Sequence, residues 1–160
     1  MAVFVKVEGL KGEATAIGYN NGWFECSSFQ VGMGRGVSVG AGGGSRREAT
    51  APSVSEITLT KEMDVIDPLL WKEALGGAAK KVEIHLTQTD KGGKHIAFQK
   101  YELTDTLISG YSLSGGSGRP SVSLSFNFGQ IWSEYMDIDS KFNSKTTGKV
   151  GYDIVEAKVL

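Results

Sequence analysis

From Ser121 to Phe128 the sequence SVSLSFNF alternates without a break. Val122, Leu124, Phe126 and Phe128 fall on one side, and Ser121, Ser123, Ser125 and Asn127 on the other. A period of two over eight residues is that of a strand with one buried face. The run before it, residues 101–113, is also rich in Leu, Ile, Thr and Tyr. Between them lie Ser114-Gly115-Gly116-Ser117-Gly118-Arg119-Pro120, whose glycines tolerate a positive φ and whose proline cannot donate to a ladder. A long antiparallel hairpin follows. Its polar side is unusual, because small hydroxyls and an amide are neither a second core nor the Lys/Glu mixture of an ordinary solvated face.

The remaining elements are shorter. Residues 2–8 alternate with Val3, Val5 and Val7 on one face, and residues 9–22 read as loop. Residues 23–31 read as one strand, with Phe24, Cys26, Ser28 and Gln30 sharing a face opposite Glu25, Ser27, Phe29 and Val31. Residues 55–63 and 81–89 continue the strand pattern. A polar loop at 137–149 precedes a last strand at 150–159, whose apolar phase slips between Ile154 and Val155 as at a bulge. One helix is expected over about 67–76. Asp67 suits the N-cap, Pro68 the first helical position, and Gly76-Gly77 the stop, with Leu70, Trp71, Ala74 and Leu75 as its apolar face.

The stretch 32–44 holds seven glycines in thirteen residues. Ordering glycines costs more backbone entropy than ordering other residues, and Val37 and Val39 alone offset little of it. A structureless loop inside a compact domain is improbable on length grounds, so it reads as a protruding, extended loop or hairpin that either stays mobile or is ordered by a neighbouring molecule. Seven or eight strands with one helix define an all-β, mainly antiparallel fold, a barrel or a tight sandwich.

Composition narrows the function. Seventeen basic and eighteen acidic side chains leave a formal charge of −1, which offers no attraction for nucleic acid or an anionic membrane. The one cysteine, Cys26, cannot form an internal disulfide, in keeping with a reducing compartment. Lys6 and Glu8 interrupt the N-terminus too early for a signal peptide, and no apolar run spans a bilayer. A chain made in the cytoplasm is therefore expected to leave the cell, if at all, by another route than general secretion.

Catalytic and ligand motifs are thin. Gly32-Met33-Gly34 and Gly40-Ala41-Gly42 lack the third glycine and the helix of a dinucleotide site. Gly92-Gly93-Lys94-His95 lacks the hydroxyl residue of a phosphate loop, and Gly115–Arg119 misses the nucleophile-elbow spacing. His85, His95 and Cys26 are too few for a metal set, and His85 falls on a strand face expected to meet solvent or an interface. Asp64 and Asp67 flank a helix start, where carboxylates favour the dipole. No catalytic residue, cofactor or metal is expected.

Several segments together resemble the haemolysin-coregulated protein (Hcp) family, the tube subunit of bacterial type VI secretion. They are Val7-Glu8-Gly9-Leu10-Lys11-Gly12-Glu13, Phe29-Gln30-Val31-Gly32, Leu59-Thr60-Lys61 with Asp64 and Pro68-Leu69-Leu70, residues 107–112 before Gly115-Gly116, Ser125-Phe126-Asn127-Phe128, and Gly151-Tyr152-Asp153-Ile154. Departures from the family pattern occur at Ser27, Ser28 and Val31, where aromatics are common, and at Phe126, where Leu is common. The resemblance implies one β-barrel domain over 1–160 with a helix at its side, assembling into hexameric rings that stack as a hollow tube. It implies as partners a spike, a contractile sheath and small effectors carried in the lumen, with no membrane insertion of its own. The subunit is then cytoplasmic when assembled and secreted on firing. On that basis Gly32, Met33, Gly34, Arg35, Gly36, Val37, Ser38 and Val39 are expected at subunit or ring contacts. Ser28, Gln30, Ser121, Ser123, Ser125 and Asn127 are expected to face the lumen. The rival readings are a monomeric barrel with a small ligand inside and an enzyme with a dispersed site.

Overall fold

The computed structural model describes residues 1–40 and 47–160. Among these described residues fourteen strands and one helix follow in order: β1 Ala2–Val7, β2 Phe24–Cys26, β3 Ser28–Gln30, β4 Met33–Gly34, β5 Val37–Val39, β6 Arg47–Ala49, β7 Ser53–Val54, β8 Ile57–Glu62, α1 Asp67–Gly76, β9 Lys80–Thr89, β10 His95–Ser114, β11 Ser121–Asn127, β12 Gln130–Ile138, β13 Ser144–Asp153 and β14 Lys158–Val159. The 20-residue β10 serves two sheets. Its first half lies between β9 and β12, and its second half pairs with β11 in the expected hairpin. Asp105, at φ 53, marks the change of direction, and the ladder to β9 shifts between Leu103 and Thr106.

From β11 the ladder continues through β8 to β3, and from β9 through β1 to β2. The two arms meet at Ser27. Its N–H and its hydroxyl both donate to Thr60 O, so the chain itself steps from one sheet to the other where a continuous ladder would close the barrel. This corrects the single strand expected over 23–31. The extra residue at Ser27 flips the phase. Phe24, Cys26 and Phe29 turn towards the core while Ser28 and Gln30 turn outward, so the four residues expected on one face divide between two.

The alternation in β11 is obeyed: Val122, Leu124, Phe126 and the following Phe128 are buried in the main core with Ile57, Leu59 and Ile84. Strand β1 is buried on both faces, which alternation alone hid. Val3, Val5 and Val7 enter the main core, while Phe4 lies beneath Tyr19, stacked at 4.2 Å, with Trp23 edge-on to Tyr19 at 5.0 Å. The 9–22 segment is thus a lid over the sheet. His85 belongs to this cluster and does not stand free in solvent. It is half-buried, shares a 3.0 Å hydrogen bond with the Tyr19 hydroxyl, and meets the Trp23 ring at 4.7 Å.

The helix has the expected bounds and different ends. Ile66 occupies the N-cap without a side-chain bond, and Asp67 is the first helical residue with its carboxylate turned into the protein. Of the expected apolar face Leu70 is buried, whereas Trp71 is 58% and Leu75 72% exposed, so α1, which packs mainly on β10, turns only part of that face to the body. At the C-terminus the polar loop shortens to 139–143, since β12 and β13 extend into it. The phase slip at Ile154/Val155 is a chain reversal rather than a bulge. Ala157 adopts φ 53 and β14 returns along β13, pairing Tyr152 with Val159.

Candidate functional site

The two sets of small polar residues lie on one surface. Strand registers place Ser112, Ser123, Thr60 and Ser28 in one row across β10, β11, β8 and β3. Gly110, Ser125, Thr58 and Gln30 form a second row, and Ser114, Ser121 and Glu62 a third. Residues directly opposite one another in adjacent strands share a face, so this is a continuous hydroxyl-rich sheet surface with Glu62 as its one charge. Every one of these residues is exposed or half-buried. Sequence reading identified Ser28, Gln30, Ser121, Ser123 and Ser125. It missed Thr58, Thr60, Ser112 and Ser114, although the phase of Ile57 and Leu59 already turned Thr58 and Thr60 outward. Asn127 sits at the margin opposite Leu107, its amide donating to Glu56 Oε1 at 3.4 Å.

The glycine-rich stretch is a two-part hairpin arm. Met33 pairs with Val54 and Gly34 with Ser53; beyond them Val37, Ser38 and Val39 pair with Ala49, Glu48 and Arg47. Ser55 N–H donating to Gly32 O closes its base, and the N–H of Gly36 is held by the Thr50 hydroxyl. Eight extended residues from Gly32 to Val39 span about 25 Å. Residues 33–39 are all exposed, with Met33 at 69%, Val37 at 53% and Val39 at 65%. The expected glycines at 42–44 lie outside the described residues. An apolar groove of about 470 Å³ runs between the arm's base (Met33, Val54) and the sheet at Tyr101, Ile131, Tyr152 and Val159.

Behind the hydroxyl surface is a polar network that sequence reading missed. Lys61 continues the inward phase of Ile57 and Leu59, and its ammonium is fully buried. It donates to Asp67 Oδ2 at 2.6 Å, Asp64 Oδ1 at 3.1 Å and Glu62 O at 2.7 Å, and lies 5.5 Å from the centre of the Phe24 ring. Asp67 also accepts from Asp64 N–H at 2.6 Å and from the Tyr111 hydroxyl at 3.0 Å. Burial pushes the Asp67 carboxyl up, but these donors together hold it below its ordinary value. For Asp64 burial wins and the value rises. The pattern that could have signalled the network is a Lys on an inward strand position three and six residues before two aspartates. Cys26 lies beside it as a buried free thiol, raised to about 12 by desolvation. Among the described residues no group of three His, Cys, Asp or Glu is placed to hold a metal. Among the described residues no helix is long and apolar enough to cross a membrane.

Solved structures share this mainly antiparallel fold over nearly the whole chain. One, described as a type six secretion system protein, shares 23% identity over 99% of each chain with a TM-score of 0.87. Hcp1 from Salmonella typhimurium shares 19% over 99% of this chain and 98% of its own, with a TM-score of 0.76. The secreted protein Hcp3 from Pseudomonas aeruginosa shares 15% over 95% and 97%, at 0.61. No curated protein matches the chain. Residues 4–135 match the family described as type VI secretion system effector, Hcp. The chain belongs to the Hcp family.

Proposed function

We propose that this protein is a tube subunit of a type VI secretion system, forming hexameric rings that stack into a hollow tube and carry small effectors in the lumen. Family membership carries the reading, and three structural features support it. The hydroxyl surface across four strands is a suitable wet wall for a channel: hydroxyls and amides bind water or varied polar partners without imposing a fixed charge pattern. The arm, exposed along residues 33–39, has room to reach a neighbouring subunit or the next ring. The barrel interior is filled by Phe24, Leu59, Leu124 and Phe126, each fully buried, which disfavours a ligand held inside a single chain. Spike, sheath and effectors are its partners in this reading, and its exit from the cell is by the secretion machine itself. Its role is structural rather than catalytic. Negative-stain electron microscopy of the purified protein tests it: rings with a central hole, and short stacks of them, are expected. A uniform field of particles the size of one barrel would contradict it.

A further inference from the structure

Seven ion pairs occur among the described residues, and among the charges that they omit two groups line clefts. The first group lines a cleft of about 390 Å³ between the 90–95 turn, the 139–143 turn and the aromatic lid. Lys94, Lys100 and Lys141 converge there beside His85 and His95, and Tyr19 and Phe142 supply apolar walls. Its one carboxylate, Asp90, is occupied by the N–H groups of Gly92 and Lys94. The second group lines a cleft of about 200 Å³ on the other side of the same lid. It gathers Glu13, Glu25 and Glu62 with Asp64, against the single cation Arg119. Asp64 is already paired with Lys61; the three glutamates have no ion-pair partner among the described residues.

In a chain of net charge −1, two concave surfaces thus gather unpaired charge of opposite sign, while other unpaired charges are scattered over the rest of the surface. Each cluster repels itself in the free subunit, and that repulsion is relieved when the opposite sign docks against it. A two-fold contact of either cleft with itself would set like charge against like. A head-to-tail contact sets basic against acidic, as does a two-fold contact that crosses the two clefts; only the head-to-tail one leaves one cleft of each sign free to continue, and it is the contact type that closes rings. We propose that the acidic cleft of one copy of this chain seats against the basic cleft of the next. This rests on the ring assembly proposed above and assigns the electrostatic half of its subunit contact.

Charge reversal tests it in the full chain. The variant Lys94→Glu/Lys141→Glu and the variant Glu13→Lys/Glu25→Lys alter exposed positions, and each should keep its melting temperature. Each alone should raise the concentration for half-assembly by about tenfold or more at low salt, since like charges then face one another across the contact. An equimolar mixture of the two variants, and a single chain carrying all four substitutions, should both return to within about twofold of the unchanged protein. Raising salt should weaken the unchanged assembly in the same direction. The milder Lys94→Gln/Lys141→Gln should shift it less, and serves if the reversal disturbs folding. If the unchanged chain assembles and the reversals leave it untouched, or the fourfold variant is not rescued, the paired-cleft contact is wrong and the ring reading stands. Pyrophosphate raising the melting temperature with assembly indifferent to the reversals would make the basic cleft a small-anion site instead. An unchanged chain that stays monomeric removes both.

Discussion

Lys61 Nζ lies 2.6 Å from Asp67 Oδ2 with both side chains fully shielded from solvent, and this contact ties the start of α1 to the barrel wall. A buried pair is a weak source of net stability, but breaking it leaves an uncompensated charge. Lys61→Met should therefore cost roughly 3–5 kcal/mol in urea unfolding. Lys61→Met/Asp67→Asn should recover part of that loss, because a neutral amide replaces the unpaired carboxylate and its single oxygen still accepts from one of the two donors, the Tyr111 hydroxyl or the Asp64 N–H. A Lys61→Met chain within about 1 kcal/mol of the parent would mean that the site collapses or hydrates without cost.

The barrel was legible where alternation and turn chemistry agreed. Residues 101–128 gave the hairpin outright, because Ser114–Pro120 can do little but turn. Reading failed where one extra residue or a second buried face intervened. Ser27 flips the strand phase through a shift that no pattern of side chains announces, so Ser28 and Gln30 were placed outward correctly while sharing a face with Phe24 and Cys26 wrongly. Phe4 and His85 looked outward by phase, and only the tertiary placement of the 9–22 lid buries them. Lys61 was hidden for a different reason. A charged side chain in a strand core is readable only once its partners, Asp64 and Asp67, are known to fold back over it.

The same lid makes stability depend on pH. Burial, then the charge of Lys100, pushes His85 from 6.5 down to about 4. Its folded value is below its unfolded one, so the unfolded chain binds the proton first. The stabilisation is whole above about pH 6.5 and is lost as pH falls towards 4. The full loss is up to about 3 kcal/mol. His85→Gln should flatten the acid limb of a melting-temperature profile between pH 6.5 and pH 4; an unchanged slope would assign that limb to the carboxylates.

The arm should be dispensable for folding. Gly32 and Ser55 are already joined by a 2.8 Å backbone hydrogen bond, so replacing 33–54 with a short glycine turn leaves the barrel's own ladders intact. The melting temperature should move by no more than a few degrees, since of residues 33–40 and 47–54 Val54 alone packs against the main core, while stacking of rings is lost. A deletion that unfolds the subunit would put the arm in the core.

Gln30 and Ser123 report on the hydroxyl surface. Arg at either position adds bulk and charge to an outward face without touching the core, so folding should change by less than about 0.5 kcal/mol. Ring assembly should persist and the amount of co-purified effector should change. Rings that fall apart would instead make this surface a subunit contact.

Molar mass by light scattering across a size-exclusion peak tests the central claim most directly. A ring subunit should elute as one species of six chains, six times the 17.1 kDa of one chain, and hold that mass on dilution. A peak of about 17.1 kDa at high micromolar concentration, from protein whose circular dichroism shows the β-fold intact, would contradict it.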